Sequence, residues 1–175
     1  MEYFVLTQSK RVIHPIKIYA LDSSIYKYNM TLEQMEKLDD LRVAYFEHTN
    51  GVEMSDILVA PTFLITTPIK KVFSLYDEAM RFKGVQLFTT DEEDQTAPLY
   101  WVPLCKEIDC IHRDTSKYDN GLVKTLVLDE QAIHGESIFK VKGLVESKMI
   151  ITLPVAESLL RRKLYGIGLE KVEVK

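Results

Sequence analysis

Two cysteines and four histidines are the residues whose types suit metal binding or nucleophilic attack. The tightest grouping is Cys105-x-x-x-x-Cys110-x-His112. Structural zinc sites use closer cysteine pairs and a fourth ligand, and neither is evident here. On a strand, positions 105 and 110 differ by an odd number and point to opposite faces. Buried thiols packed as small apolar groups are therefore the reading that the spacing favours. The histidines, at 14, 48, 112 and 134, form no His-x-x-x-His or His-Glu-x-x-His pair. A nucleophilic pair of Cys110 with one of them stays open, since such partners are distant in sequence, but no signature accompanies it. The chain has no Gly-x-Ser-x-Gly elbow, phosphate-cradling loop or dinucleotide fingerprint, and only seven glycines. The expectation is a protein that is not an enzyme, with no catalytic residue, metal site or cofactor.

What remains is side chains suited to contact. Asp91-Glu92-Glu93-Asp94 is the sharpest charge run. Its plain reading is a solvated loop. Its functional reading is an acidic lip for a basic protein surface, where charge raises association rate and sharpens partner choice. Tyr100 and Trp101 follow closely and are of the types that anchor interfaces. Trp101, flanked by apolar residues, reads first as core. Asp91, Glu92, Glu93, Asp94, Tyr100 and Trp101 are the candidate partner-binding residues.

Composition narrows the class. The chain has 175 residues, 46% hydrophobic and 27% charged, ordinary values for a globular protein. A net charge of −4 argues against a nucleic-acid binder, which normally presents a basic surface. The start, Met1-Glu2-Tyr3-Phe4-Val5-Leu6, carries an acid where a secretory signal carries a cation, and its apolar run is too short for a membrane span. Two cysteines need no disulfide scaffold. A cytoplasmic protein is expected.

The elements that must position these residues read as α+β, with a mixed or mainly antiparallel sheet and a few short helices. Thr31-Leu32-Glu33-Gln34 is a capping box opening a helix to about Leu41. Strands are expected at 3–6, 43–46, 57–59, 99–102 and 122–128, with Pro103 limiting the pairing of its strand. The clearest unit is C-terminal: Met149-Ile150-Ile151-Thr152, Pro154 in the first turn of a helix, then Gly166-Ile167-Gly168-Leu169. Phe63-Leu64-Ile65-Thr66, a helix capped by Thr67 with Pro68 at its first position, and Gly84-Val85-Gln86-Leu87 repeat it. Gly166 is expected to end its helix in the left-handed conformation, and Gly84 to mark the same break upstream. Thr67, Pro68, Gly84, Pro154 and Gly166 are the structural residues of this duplicated strand–Pro-helix–Gly–strand unit. One domain over 1–175 is expected, with a reading as two lobes, 1–90 and 91–175, each holding one copy.

Short motifs carry a resemblance. They are Ile108-Asp109-Cys110-Ile111-His112 with Ser116, Leu126-Val127-Leu128-Asp129 with Ile133, and Ile138-Phe139-Lys140-Val141-Lys142-Gly143 followed by the C-terminal unit. Over about 57–174 the chain resembles a family of bacterial immunity proteins from polymorphic-toxin loci, formerly a domain of unknown function. Where that family has a serine at the strand-to-helix turn, this chain has Thr-Thr-Pro and Thr-Leu-Pro. Residues 1–56 fall outside the resemblance. It implies a cytosolic protein that neutralises a cognate toxin by contact, without chemistry of its own. The alternative is a structural or adaptor subunit of a larger bacterial or phage-tail-like assembly.

Overall fold

The computed structural model describes residues 1–22, 24–27, 30–47, 51–89, 97–119, 122–146 and 148–175. In the first half the strands are β1 (Tyr3–Gln8), β2 (Ile18–Tyr19), β3 (Leu41–Phe46), β4 (Ile57–Leu58), β5 (Leu64–Thr66), β6 (Arg81–Thr89) and β7 (Leu99–Leu104). In the second they are β8 (Glu107–Ile108), β9 (Lys117–Asp119), β10 (Leu122–Thr125), β11 (Val127–Leu128), β12 (Ile138–Val141), β13 (Met149–Thr152) and β14 (Ile167–Val174). The helices are α1 (Leu32–Glu36), α2 (Thr67–Tyr76), α3 (Glu130–Ile133) and α4 (Leu153–Leu160). The class is α+β. One six-stranded mixed sheet has the order β2-β3-β6-β7-β5-β4, the other β11-β14-β1-β13-β12-β8, and β9 and β10 form a separate ribbon.

The two sheets share a pairing pattern. In the first, β7 lies between β5 and β6, antiparallel to both. In the second, β1 takes that place between β13 and β14. The outer neighbours β3 and β11 run parallel to β6 and β14. Tyr100 pairs with Thr66 on one side and Val85 on the other. Tyr3 pairs likewise with Thr152 and Val172. Val85 therefore occupies in its sheet the place that Val172 has in the other, whereas Gly166 precedes β14, so the expected match of Gly84-Val85-Gln86-Leu87 with Gly166-Ile167-Gly168-Leu169 is not confirmed by the pairing.

The glycines serve local needs instead. Gly84 lies inside β6, where a Cβ would stand 2.8 Å from Leu41 Cδ1, so Leu41 closes over the bare backbone. Gly166 has φ +74° but lies beyond the end of α4, which stops at Leu160 with Arg161 as its cap. A Cβ there would meet Ser55 Cβ at 2.7 Å. The cap of α2 is Thr66 rather than Thr67, which with Pro68 makes the first turn. Thr152 is the matching cap, with Pro154 in the first turn of α4. The Thr31–Gln34 capping box is present, but its helix ends at Glu36, since Leu41 already begins β3.

Burial makes three apolar layers. α2 and α4 pack together with Ile57, Ile65, Leu6, Ile138, Met149 and Ile151 from both sheets. Ile16, Tyr26, Met30, Met35 and Leu38 cover the outer face of the first sheet over Ala44, Phe46, Val85, Leu87 and Tyr100. Tyr3, Phe139, Ile150 and Val172 face the other way, under Cys110, Leu128 and Ile133. The buried Lys140 Nζ donates to the Met30 carbonyl (3.1 Å), tying β12 to the segment leading into α1.

Candidate protein-binding face

A helix with its side chains is about 10 Å across and covers roughly two strands at their ~4.8 Å spacing. α2 sits on β5 and β7. Among the described residues no helix packs on the same face of β6, β3 and β2. Pairing puts Tyr19 beside Tyr45, Tyr45 beside Phe88, Val43 beside Gln86 and Leu41 beside Gly84. Their exposures are 44% for Tyr19, 44% for Tyr45, 41% for Phe88, 44% for Val43 and 58% for Leu41. The Tyr45 and Phe88 rings lie 6.5 Å apart, tilted by 43°. The result is a continuous aromatic and aliphatic strip on an open sheet face, of the composition that anchors interfaces.

Both ends of the strip are polar. At the α2 end, Lys70 Nζ stands 3.1 Å from the Trp101 ring centroid and 5.2 Å from that of Phe82, an aromatic seat for a cation. Burial lowers the Lys70 pKa. The Trp101 Nε1–H donates to Thr67 Oγ1 (3.0 Å). At the β2 end, the Tyr19 hydroxyl donates to Glu47 Oε2 (3.5 Å). Tyr19 and Glu47 also line a cleft of about 480 Å³ with Ile13, His14, Pro15, Lys17 and Val52. Glu53 secures that segment, accepting the backbone N–H of Ile13 (2.7 Å) and His14 (3.0 Å).

Of the residues singled out in the sequence, Asp91, Glu92, Glu93 and Asp94 lie outside the described residues. Trp101 is half-buried, at the margin of the strip. Tyr100, its neighbour on β7, points to the opposite face. It is 1% exposed, and its hydroxyl donates to the Ser55 carbonyl (2.7 Å). Burial raises its pKa. As an anchor for a partner Tyr100 is corrected to core. The strip itself was missed in the sequence. Its signal is Leu41-x-Val43-x-Tyr45 interleaved with Ala44 and Phe46, a strand apolar on both faces, of which α1 and its flanking residues cover the Ala44 and Phe46 face.

The thiols stand apart. Cys105 lies between the sheets with Sγ 3.4 Å from Met149 Sδ, and Cys110 lies under the second sheet. Burial pushes Cys105 up to about 12 and Cys110 up to about 11, so both are protonated at neutral pH and poor nucleophiles. His112 Nδ1 is hydrogen-bonded to the Thr115 hydroxyl (2.7 Å). Among the described residues no group of three or more His, Cys, Asp or Glu is arranged to hold a metal ion, and no helix is long and apolar enough to cross a membrane.

The model of the Immunity protein family (Imm11) matches residues 7–174, nearly the whole chain. The chain belongs to the Imm11 immunity protein family. Comparison with curated proteins gave no match. The match takes in residues 7–56, which the resemblance read from the sequence excluded, and so includes β2 and β3. These two strands carry Tyr19, Leu41, Val43 and Tyr45. The strands that carry the open strip thus lie within the matched span.

Proposed function

We propose that this chain neutralises a cognate bacterial toxin by direct contact, without chemistry of its own, through the strip Tyr19–Tyr45–Phe88–Val43–Leu41. It does so as one domain in the cytoplasm of the cell that carries it. The observation that carries this reading is a contrast between the sheets. At the pairing positions that hold Gly84 and Gln86 in the first sheet, the second has Lys171 and Glu173, exposed and ion-paired to Glu2 and Lys175. The second sheet solvates this part of its face with charge. The first leaves Val43, Tyr45 and Phe88 beside it, and an apolar surface of this kind marks a binding site. In this reading Asp91–Asp94 supplies the steering. Joining β6 to β7 in sequence just after Phe88, the acidic run raises the encounter rate with a basic toxin.

The test is co-purification of the tagged chain from its own cell lysate, with mass spectrometry of what is retained. Recovery of one small polypeptide, toxic alone and harmless when co-expressed with this chain, is the expected result. Recovery of a large multi-subunit assembly replaces this reading with that of an adaptor subunit.

A further inference from the structure

We propose that the outer edge of β3 takes up an extended strand of the partner protein, so that the partner is held by main-chain pairing as well as by the aromatic strip. The proposal rests on the toxin-binding reading above. β3 pairs with β6 over all six of its residues, Leu41 to Phe46. On its other side β2 pairs only with Tyr45 and Phe46. The Asp40 carbonyl accepts from the Gly84 N–H (2.8 Å), so it faces β6. Main-chain groups alternate sides along a strand. Those of Arg42 and Ala44 therefore turn to β6, and those of Leu41 and Val43 turn outward. Among the described residues no strand pairs with them there, and Leu41, Arg42 and Val43 are all exposed.

The chain itself turns away from this edge. β2 stops after Tyr19 because Ala20 adopts φ 61°, a left-handed conformation uncommon for a residue with a Cβ. Leu21 then packs on the outer core, which carries the chain beneath the sheet instead of along β3. Edge strands are commonly blunted by lysine, proline or a bulge, because an open one is a template for another strand. Here the two residues with outward main-chain groups carry apolar side chains. The occupant is an extended segment with β-branched or aromatic residues at alternate positions, lying beside Val43 and Tyr45 on the open face. On its other face a carboxylate beside Arg42 fits best. Arg42 is exposed; among the described residues it has the exposed Asp39 carboxylate at 3.6 Å, and the Asp22 carboxylate acts on it through space. Pairing of this kind takes affinity from the backbone and selectivity from alternate side chains.

The probe is a synthetic octapeptide of alternating valine and threonine with one glutamate, added to the ¹⁵N-labelled full chain. The expected result is a saturable shift of the Leu41 and Val43 amide signals, with exchange of those amides slowed about tenfold. The same peptide, N-methylated at alternate amides, is expected to give neither. Val43→Pro removes an outward N–H and leaves the β6 ladder intact, so it should melt normally and lose the response, whereas Val43→Thr keeps it. If Val43→Pro does not fold, the N-methylated peptide on the parent chain decides. Equal binding of the N-methylated peptide, or shifts confined to other strands, overturns the proposal. So does a concentration-dependent dimer that protects these amides without peptide, which assigns the edge to a second copy. Capture of the toxin by both parent and Val43→Pro overturns the edge and leaves toxin binding standing. Capture by neither overturns toxin binding itself.

Discussion

Asp56 and Tyr165 hold each other through two reciprocal contacts: the Tyr165 N–H donates to Asp56 Oδ2 (2.6 Å), and the Asp56 N–H donates to the Tyr165 carbonyl (2.8 Å). Asp56 leads into β4 of the first sheet and Tyr165 into β14 of the second. Ser55 Oγ adds a bond to the Gly166 carbonyl (3.2 Å), and the Thr66 hydroxyl donates to the other Asp56 oxygen. Asp56→Ala leaves the Tyr165 N–H and the Thr66 hydroxyl without their acceptor. It should lower stability by about 2–3 kcal/mol. Denaturant titration is the check, with the midpoint falling at unchanged slope. A loss under about 0.5 kcal/mol, the range of ordinary surface changes, would mean that this seam does not join the sheets energetically.

Gly166 sits in the same seam. Any Cβ there meets Ser55, and φ +74° adds strain for residues with a side chain. Gly143, at φ +83°, has nothing within 4 Å of such a Cβ. The two glycines separate crowding from backbone strain. Gly143→Ala should cost about 1 kcal/mol, the strain alone. Gly166→Ala should cost about 3 kcal/mol or more, since overpacking adds to it. Equal losses in thermal melts would show that Ser55 moves aside freely.

Local chemistry was legible in the sequence, and tertiary placement was not. The Thr31–Gln34 box and the prolines of α2 and α4 act within one turn, so their residue types suffice to find them. Gly84 and Gly166 look like helix-ending signals, but Leu41, Ser55 and Val12 decide their roles, and all three are distant in sequence. The pairing of β1 between β13 and β14 joins the two ends of the chain, and no spacing announces it. The strip on β2, β3 and β6 has a visible apolar pattern. Whether that pattern is covered depends on where α2 lies.

The thiols make stability fall at high pH. In the unfolded chain a cysteine ionises near 9.0, whereas in the fold Cys105 holds its proton to about 12 and Cys110 to about 11. Unfolding therefore releases protons above pH 9, and each thiol removes about 1.4 kcal/mol per pH unit until its folded value is reached. Lys140 works the other way. Burial lowers its pKa, so stability rises as pH climbs toward 10.5, the unfolded value. Comparison with Cys105→Ala at each pH isolates the thiol. The variant starts less stable, for lost packing, and the gap should narrow between pH 9 and 10.5. A constant gap would show that Cys105 ionises freely in the fold.

The open strip predicts a separation of binding from stability. Tyr45 and Phe88 are already about two-fifths exposed, so truncating either removes little of the core. Phe46, one residue on, is fully buried on the other face. Tyr45→Ala and Phe88→Ala should each weaken toxin affinity roughly 10- to 100-fold, the range of interface anchors, with stability changed by less than about 1 kcal/mol. Phe46→Ala should instead cost about 3–5 kcal/mol of stability, as other buried phenylalanines do. Replacing Asp91, Glu92, Glu93 and Asp94 with serine should act on neither quantity first. It should slow association at low salt and leave dissociation nearly unchanged, because long-range charge acts on encounter more than on the formed complex. Calorimetry and stopped-flow mixing with the co-purified toxin, beside thermal melts, read all three effects. Full affinity in the Tyr45→Ala, Phe88→Ala double variant would move the contact off this face, and a salt-independent rate in the serine variant and its parent alike would remove the acidic run from the encounter.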